Sequence, residues 1–337
     1  MKAPFPWFGG KAKVAPQVWA ALGDVDNYVE PFFGSGAVLL NRPRWHIGAT
    51  ETVNDRDQFL ANFWRALSCA PDEVARHADW PVNEAELFSR HLWLVNEGAR
   101  QMRSGMDADP DWYDARIAGW WLWGICSWIG SGWCSGTGPH THATLAVDSD
   151  AGRGVNRQLP HLGNAGQGVN RKRPHLGDAG RGDSFIPRNE ALYEYMRQLA
   201  ARLRNVRVCC GDWSRVVTTG ALNHGATVGV FLDPPYSDAA GRDANLYAVD
   251  SLSVAHDVRD WCIANGDNPR LRIVLAGYHD EHAAHMPATW RVMEWKANSS
   301  FKGSGGGGKN EVNRRKERLW FSPHCLNPTP RLFEFGD

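Results

Sequence analysis

The sequence of 337 residues lacks the long apolar segments that a membrane protein needs. It contains no run of about 18 apolar residues, and its first residues do not form a charged segment followed by an apolar one. Neither a membrane span nor a secretory signal is therefore predicted. Seven cysteines are present, an odd number without regular spacing, which argues against a disulfide framework. These absences favour a reduced, cytoplasmic protein.

Net charge is also missing. Lys and Arg together number 37, and so do Asp and Glu, so the overall charge does not indicate a polyanionic partner. Any surface for nucleic acid must come from local groups of basic residues. Tryptophan, in contrast, is abundant, with 17 residues. We expect most of these indoles in the core, although bases also stack on exposed aromatic rings.

The residues around position 233 form the most informative segment. The apolar run Val228–Leu232 predicts a buried strand. It ends at Asp233 because the two prolines that follow have fixed φ angles and no N–H. The Asp233 carboxylate and the Pro234 carbonyl could accept the two hydrogens of an amine on a nucleobase, and Tyr236 could stack on that base for about 1–3 kcal/mol. The structural alternative is a strand followed by a proline turn with a capping Asp.

Two loops near the N-terminus have the composition of ligand-binding loops. The first contains Trp7, two glycines and Lys11, and precedes a predicted helix over 12–22. Lys11 is predicted in the first helical turn, near N–H groups that favour anions, although a solvated Lys is the alternative. The second loop follows a short strand from Asn27 and contains Pro31, Phe32, Gly34 and Gly36 before a predicted helix over 37–41. Glycines there let the backbone approach a ligand closely.

Acidic residues end two further predicted strands. The strand over 51–55 ends in Asp55, about 20 residues beyond the glycines, which is the spacing at which a carboxylate accepts from both ribose hydroxyls. Asp57 is predicted as the N-cap of a helix over 58–67. The strand that begins at Val206 ends in Asp212 and Trp213.

In this order, the motifs resemble those of the Dam-like (alpha-class, D12 type) DNA adenine methyltransferases, which use S-adenosyl-L-methionine. The resemblance implies that Trp7 packs beside this cofactor, that Lys11 holds its methionyl carboxylate and that Asp212 accepts from its adenine amine. The implied cofactor-binding residues are Trp7, Lys11, Pro31, Phe32, Gly34, Gly36, Asp55, Asp212 and Asp233. The implied catalytic residues are Asp233, Pro234 and Tyr236.

Strands that alternate with helices predict a Rossmann-like α/β methyltransferase fold with a mostly parallel sheet. The segments 290–295 and 317–321 are predicted to close this sheet as an antiparallel hairpin. The resemblance covers two parts, 1–68 with the cofactor loops and 190–337 with the DPPY active site. Between them, 69–189 is predicted to form an inserted target-recognition domain.

The insert is predicted to contain helices over 84–103 and 116–128 and a basic segment. The units 154–167 and 168–181 repeat one another at ten of fourteen positions. Their composition favours loops, either in contact with DNA or simply solvated. The residues predicted to bind DNA here and in a second basic loop are Arg157, Arg171, Lys172, Arg173, Lys302 and Lys309. No metal is predicted, because no known zinc-binding pattern has the spacing of Cys126, Cys134, His140 and His142.

The expected activity is site-specific methyl transfer to N6 of an adenine flipped out of duplex DNA. Three alternatives stay open at this point: an N4-cytosine DNA methyltransferase, an RNA amino-methyltransferase, and a DNA-binding relative without catalysis. The expected partner is duplex DNA, bound by a monomer or homodimer, without a membrane or a metal. A cognate restriction endonuclease and association with the nucleoid are compatible with this resemblance.

Overall fold

The structure is a computed structural model. The residues that it describes are 1–7, 10–45, 48–109, 111–128, 133–134, 190–235, 253–295 and 317–327, together with the backbone of 172–173 and 177–178.

Seven of the described strands form one sheet that is parallel except at one edge. Along the chain the strands are β1 (Asn27–Glu30), β2 (Thr50–Asp55), β3 (Lys172–Arg173), β4 (Gly177–Asp178), β5 (Val206–Cys210), β6 (Val228–Leu232), β7 (Leu271–Tyr278), β8 (Arg291–Glu294) and β9 (Glu317–Phe321). The order across the sheet is β5-β2-β1-β6-β7-β9-β8, with β9 antiparallel to both of its neighbours. This confirms the mostly parallel sheet and its antiparallel hairpin. The short strands β3 and β4 pair with each other, within the segment predicted as loops.

The helices that the structure describes cover the sheet and build the adjoining helical segment. They are α1 (Ala15–Leu22), α2 (Gln58–Cys69), α3 (Pro71–Ala78), α4 (Glu84–Trp93), α5 (Ala99–Ala108), α6 (Ala115–Ser127), α7 (Glu190–Leu203), α8 (Val254–Asn265) and α9 (His279–His282). A π-helical segment, Leu94–Gly98, joins α4 to α5. Asp57 caps α2 as predicted, since its carboxylate accepts from two backbone N–H groups of the first turn. None of these described helices is both long and apolar enough to cross a membrane.

Two local predictions near the N-terminus were wrong. The first helix begins at Ala15 and not at position 12, because Pro16 lacks an N–H and is tolerated only in a first helical turn. Lys11 therefore lies in the turn that precedes α1. The segment 37–41 contains only a 3-10 turn, Leu39–Asn41. The chain leaves the helical region at Arg42, with ψ 121°, because Pro43 follows.

Both faces of the sheet are buried, as expected for parallel strands covered by helices. Successive side chains of β6 enter different cores: Phe231 joins the core that contains α1, α2 and α7, whereas Val230 and Leu232 pack against α8. The helices over 71–127 share the first of these cores. Within them, Trp121 and Trp123 of α6 are fully buried, in agreement with the expectation that indoles enter the core.

Candidate active site

The loops that follow β1, β2, β5 and β6 meet at one edge of the sheet. These four strands are neighbours and run parallel, so the polar residues at their carboxyl ends are brought together. Asp55, Asp212 and Asp233, which the sequence placed after three separate strands, all lie at this edge. The fold therefore assembles the predicted acidic residues.

The glycine loop after β1 is held in a defined conformation from several sides. The Asp55 carboxylate accepts a hydrogen bond from the Gly34 N–H at 3.0 Å, and the Trp64 indole donates to the Gly34 carbonyl at 3.1 Å. Gly34 has a φ of +49°, and a Cβ placed there would lie 2.5 Å from Nε1 of Trp7. Trp7 therefore packs directly on the glycine loop, and only glycine fits beneath its ring.

Asp55 is half-buried and makes hydrogen bonds with both carboxylate oxygens. One oxygen accepts from Gly34, and the other accepts from the Asp57 N–H at 3.0 Å. Burial raises the pKa of Asp55, and these backbone hydrogen bonds offset part of that rise. Each oxygen keeps a further lone pair, so the proposed contact with ribose is compatible with this role in the loop.

Asp212 lies in an exposed turn at the end of β5. Its Oδ1 accepts from the backbone N–H of Ser214 at 3.0 Å and from its hydroxyl at 2.5 Å, and these bonds lower the pKa of Asp212. The next residue, Trp213, lies nearly parallel to Phe32 of the glycine loop, with ring centroids 6.2 Å apart and an interplanar angle of 28°. The two loops thus present a carboxylate and two aromatic rings to the same region.

Lys11 and Asp233 form an ion pair, with Nζ 2.8 Å from Oδ2 and with side chains 4% and 21% exposed. Burial by itself would lower the pKa of Lys11, but the carboxylates of Asp233 and Glu317 outweigh it and raise that pKa above 10.5. Burial raises the pKa of Asp233, and the Lys11 ammonium offsets part of the rise. The ammonium therefore stabilises the ionised form of the Asp233 carboxylate.

Three residues near this ion pair were not identified from the sequence. The Trp295 ring centroid is 5.5 Å from the Lys11 ammonium, and the Glu317 carboxylate acts on the same charge. Glu30, at the end of β1, accepts a hydrogen bond from the Tyr28 hydroxyl at 2.8 Å. Burial, reinforced by the Asp233 charge, raises the pKa of Glu30 well above its ordinary value. No local sequence pattern predicts these contacts, because they depend on how distant strands pack together.

Several predicted site residues lie outside the described residues, namely Tyr236, Arg157, Arg171, Lys302 and Lys309. Lys172 and Arg173 are described only as the backbone of β3. Cys126 and Cys134 are buried, whereas His140 and His142 fall outside the described part. Among the described residues, no group of three or more His, Cys, Asp or Glu could hold a metal ion.

The sheet, the glycine loop and the acidic strand ends are consistent with an α/β methyltransferase fold. Residues 7–99 match the family model of the D12 class N6 adenine-specific DNA methyltransferases. This match includes Trp7, Lys11, the glycine loop and Asp55. Over these residues the chain is therefore similar to the Dam-like D12 family of adenine-specific DNA methyltransferases. A search of the curated proteins found no match.

Proposed function

We propose that the protein transfers a methyl group from S-adenosyl-L-methionine to N6 of an adenine that has left the stack of duplex DNA. The observation that carries this proposal is the placement of Asp233 beside the glycine loop, with its carboxylate paired to Lys11 at 2.8 Å. A hydrogen-bond acceptor for the target amine and the proposed holder of the cofactor carboxylate are thus in contact.

The residues at the sheet edge fit the cofactor. Glycine at position 34 lets the Trp7 ring pack on the loop backbone, which places this ring beside the proposed cofactor site. Asp55 could accept from the ribose hydroxyls, and Asp212 could accept from the adenine amine beside the Phe32 and Trp213 rings. When bound, S-adenosyl-L-methionine supplies a methyl group on a positively charged sulfur, which is a reactive electrophile.

The protein's own contribution is positioning. Asp233 and the Pro234 carbonyl accept the two amine hydrogens, which holds N6 and directs its lone pair towards the methyl carbon. A bond forms between N6 and that carbon while the bond from the carbon to sulfur breaks, and the electron pair stays on sulfur as a neutral thioether. N6 then releases one proton to water. Tyr236 is proposed to stack on the extruded base.

Lys11 influences the ionisation of Asp233, and therefore the hydrogen bonds that Asp233 can accept. A carboxylate accepts stronger hydrogen bonds when it is ionised, and burial at the end of β6 works against ionisation of Asp233. The Lys11 ammonium favours the charged form, so Asp233 can accept from the amine near neutral pH. Lys11 therefore supports the base site in addition to its proposed contact with the cofactor.

Recognition of the DNA sequence is proposed to come from the insert over 69–189. Its segment from 153 to 188 carries seven Lys or Arg residues and two Asp residues in a chain without net charge. Such a local excess of basic residues is suited to phosphate contacts and to guanine edges. Arg157, Arg171, Lys172 and Arg173 remain the proposed contacts, with Lys302 and Lys309 from the second basic loop.

The test is incubation of the purified protein with tritiated S-adenosyl-L-methionine and unmethylated duplex DNA, followed by nucleoside analysis. We expect label in N6-methyladenosine and a loss of about a hundredfold or more in Asp233→Ala, because the target amine is no longer oriented. Asp72→Ala is the matched control, since it removes an exposed carboxylate that pairs with Arg197 on the surface. An Asp233→Ala protein with near wild-type activity would contradict the assignment.

A further inference from the structure

Asn54 connects two of the loops that form the proposed cofactor site. Its side-chain amide donates one hydrogen bond to the Pro31 carbonyl and one to the Gly211 carbonyl, each at 3.0 Å. The residue is 2% exposed. Pro31 directly precedes Phe32, and Gly211 directly precedes Asp212. One buried amide thus joins the two backbone positions from which the aromatic and acidic groups extend.

The position of β2 explains why this residue reaches both loops. β2 lies between β1 and β5 and runs parallel to each, with Glu30 opposite Val53 and Asp55 opposite Cys210. The chains that leave β1 and β5 therefore pass on either side of the end of β2. A residue at the end of β2 can contact both of these loops, whereas β1 and β5 are separated from each other by β2.

The chemistry of the side chain is specific. Two carbonyl acceptors require two N–H donors on one short side chain, and among residues of this size only Asn carries them. Asp can only accept when it is ionised, and Leu has no polar hydrogen. The Oδ1 of Asn54 is buried without a hydrogen-bond partner among the described residues, which costs stability. The two donors, rather than the acceptor, therefore account for an Asn here.

We propose that Asn54 is a positioning residue for the nucleoside half of the cofactor, because it fixes the spacing between Phe32 and the Asp212–Trp213 turn. The inference rests on the proposed function. The two rings already lie nearly parallel across this region, with centroids 6.2 Å apart. A flat purine ring binds well beside aromatic faces only when their separation and tilt are held, since stacking weakens quickly with misplacement.

Backbone hydrogen bonds let this idea be tested without unfolding the site. The Phe33 N–H donates to the Asn54 carbonyl at 2.9 Å, and the Gly211 N–H donates to the Asp55 carbonyl at 3.1 Å. Both bonds remain when the side chain of residue 54 is changed. A substitution therefore releases the outer parts of the two loops from each other while each stays attached to β2.

The experiment compares Asn54→Leu with Asn62→Leu in the full-length chain. Asn62 is a fully buried Asn that makes two hydrogen bonds with the backbone of Asp114, at 3.0 and 2.9 Å, between α2 and the start of α6. Both variants lose a buried amide, but only Asn54 lies between the cofactor loops. The measurements are the KM for S-adenosyl-L-methionine, the KM for DNA, kcat, and the inhibition constant of adenosine.

In Asn54→Leu we expect the KM for S-adenosyl-L-methionine and the inhibition constant of adenosine to rise about tenfold, with kcat and the KM for DNA changed little. Asn62→Leu is expected to keep both ligand constants within about twofold of wild type. If Asn54→Leu does not fold, Asn54→Asp, which also lacks both N–H donors, is compared in the same way.

The outcomes separate this inference from the proposed function. Failure of the wild-type protein to bind S-adenosyl-L-methionine would overturn the proposed function and the inference with it. A wild-type protein that binds, beside a folded Asn54→Leu protein of equal affinity, would overturn the inference alone. Equal losses of affinity in Asn54→Leu and Asn62→Leu would also overturn it, because general loosening of the fold would then explain the result.

Discussion

Replacement of Lys11 by Met tests the ion pair at the centre of the site. The Lys11 ammonium and the Asp233 carboxylate are 2.8 Å apart, with side chains 4% and 21% exposed. When one partner of a buried pair is removed, the other is left as an uncompensated charge, which costs about 3–5 kcal/mol. Because Asp233 keeps some contact with solvent, we expect the lower end, about 3 kcal/mol of unfolding free energy at about pH 8.

The loss should depend on pH in a defined direction. Without the ammonium that lowers it, the pKa of Asp233 rises further above its ordinary value of 3.8. An acid whose pKa is higher in the folded state than in the unfolded state makes folding less favourable as pH rises through that interval. The deficit of Lys11→Met relative to wild type should therefore be small near pH 4 and grow towards neutral pH.

In the wild-type protein, Lys11 contributes to stability only over a defined pH range. The pKa of Lys11 is raised above 10.5 in the folded protein, so its stabilising effect is present below that value. The effect is lost only as pH rises through the folded-state pKa. Between about pH 5 and 9 the wild-type pair should therefore remain ionised at Lys11, and the pH dependence of the variant arises from Asp233.

A double-mutant cycle measures the coupling. We would compare wild type, Lys11→Met, Asp233→Asn and the double variant by urea unfolding, followed through tryptophan fluorescence, at about pH 5 and pH 8. The double variant should recover part of the stability lost in Lys11→Met, with a coupling of about 1.5 kcal/mol or more at the higher pH. The Glu317 carboxylate is present in all four proteins, so its interaction with Lys11 cancels in the coupling free energy. Additive losses without pH dependence would refute the reasoning.

Two further predictions concern the neighbouring loops. Gly34→Ala should weaken binding of S-adenosyl-L-methionine about tenfold, because an Ala there costs about 1–2 kcal/mol in backbone energy and its Cβ collides with Trp7. Gly48→Ala is the control, since Gly48 has a φ of +107° and no neighbour within 4 Å of an added Cβ. Equal affinity of both variants by calorimetry would contradict the role of the loop. Burial and the Asp55 charge raise the pKa of Asp57 to about 7, so ionisation destabilises the fold as pH rises from 3.8 to about 7. Asp57→Asn keeps the cap of α2 and should be more stable than wild type by about 1–2 kcal/mol at about pH 8, but not near pH 4, in urea unfolding; a gain that is the same at both pH values would argue against this.

The sequence also predicted parts of the structure that depend on local chemistry. Asp57 before an amphipathic run predicted the N-cap of α2, and the apolar run before Asp233 predicted β6, because capping and strand burial are set by neighbouring residues. The two wrong local predictions were of the same kind. The effects of Pro16 and Pro43 on their neighbours are short-range, so both helix boundaries could have been placed more closely from the sequence.

The candidate site was predicted from residues at strand ends. In a parallel sheet the carboxyl ends of neighbouring strands lie on the same side, so Asp55, Asp212 and Asp233 could be expected near one another. The match of residues 7–99 to the D12 class covers the motifs from Trp7 to Asp55. The sequence by itself therefore indicated which loops form the candidate site and which chemical groups they carry.

Only the tertiary structure decided how these groups contact one another. Lys11 contacts Asp233 because the turn before α1 lies against the end of β6. The Glu317 carboxylate acts on Lys11 because β9, although far from Lys11 in the sequence, joins the same sheet by pairing with β7. Asn54 reaches two loops because β2 lies between β1 and β5. Strand order and the packing of loops arise from contacts between distant segments, and no local pattern of residues encodes a distance between them.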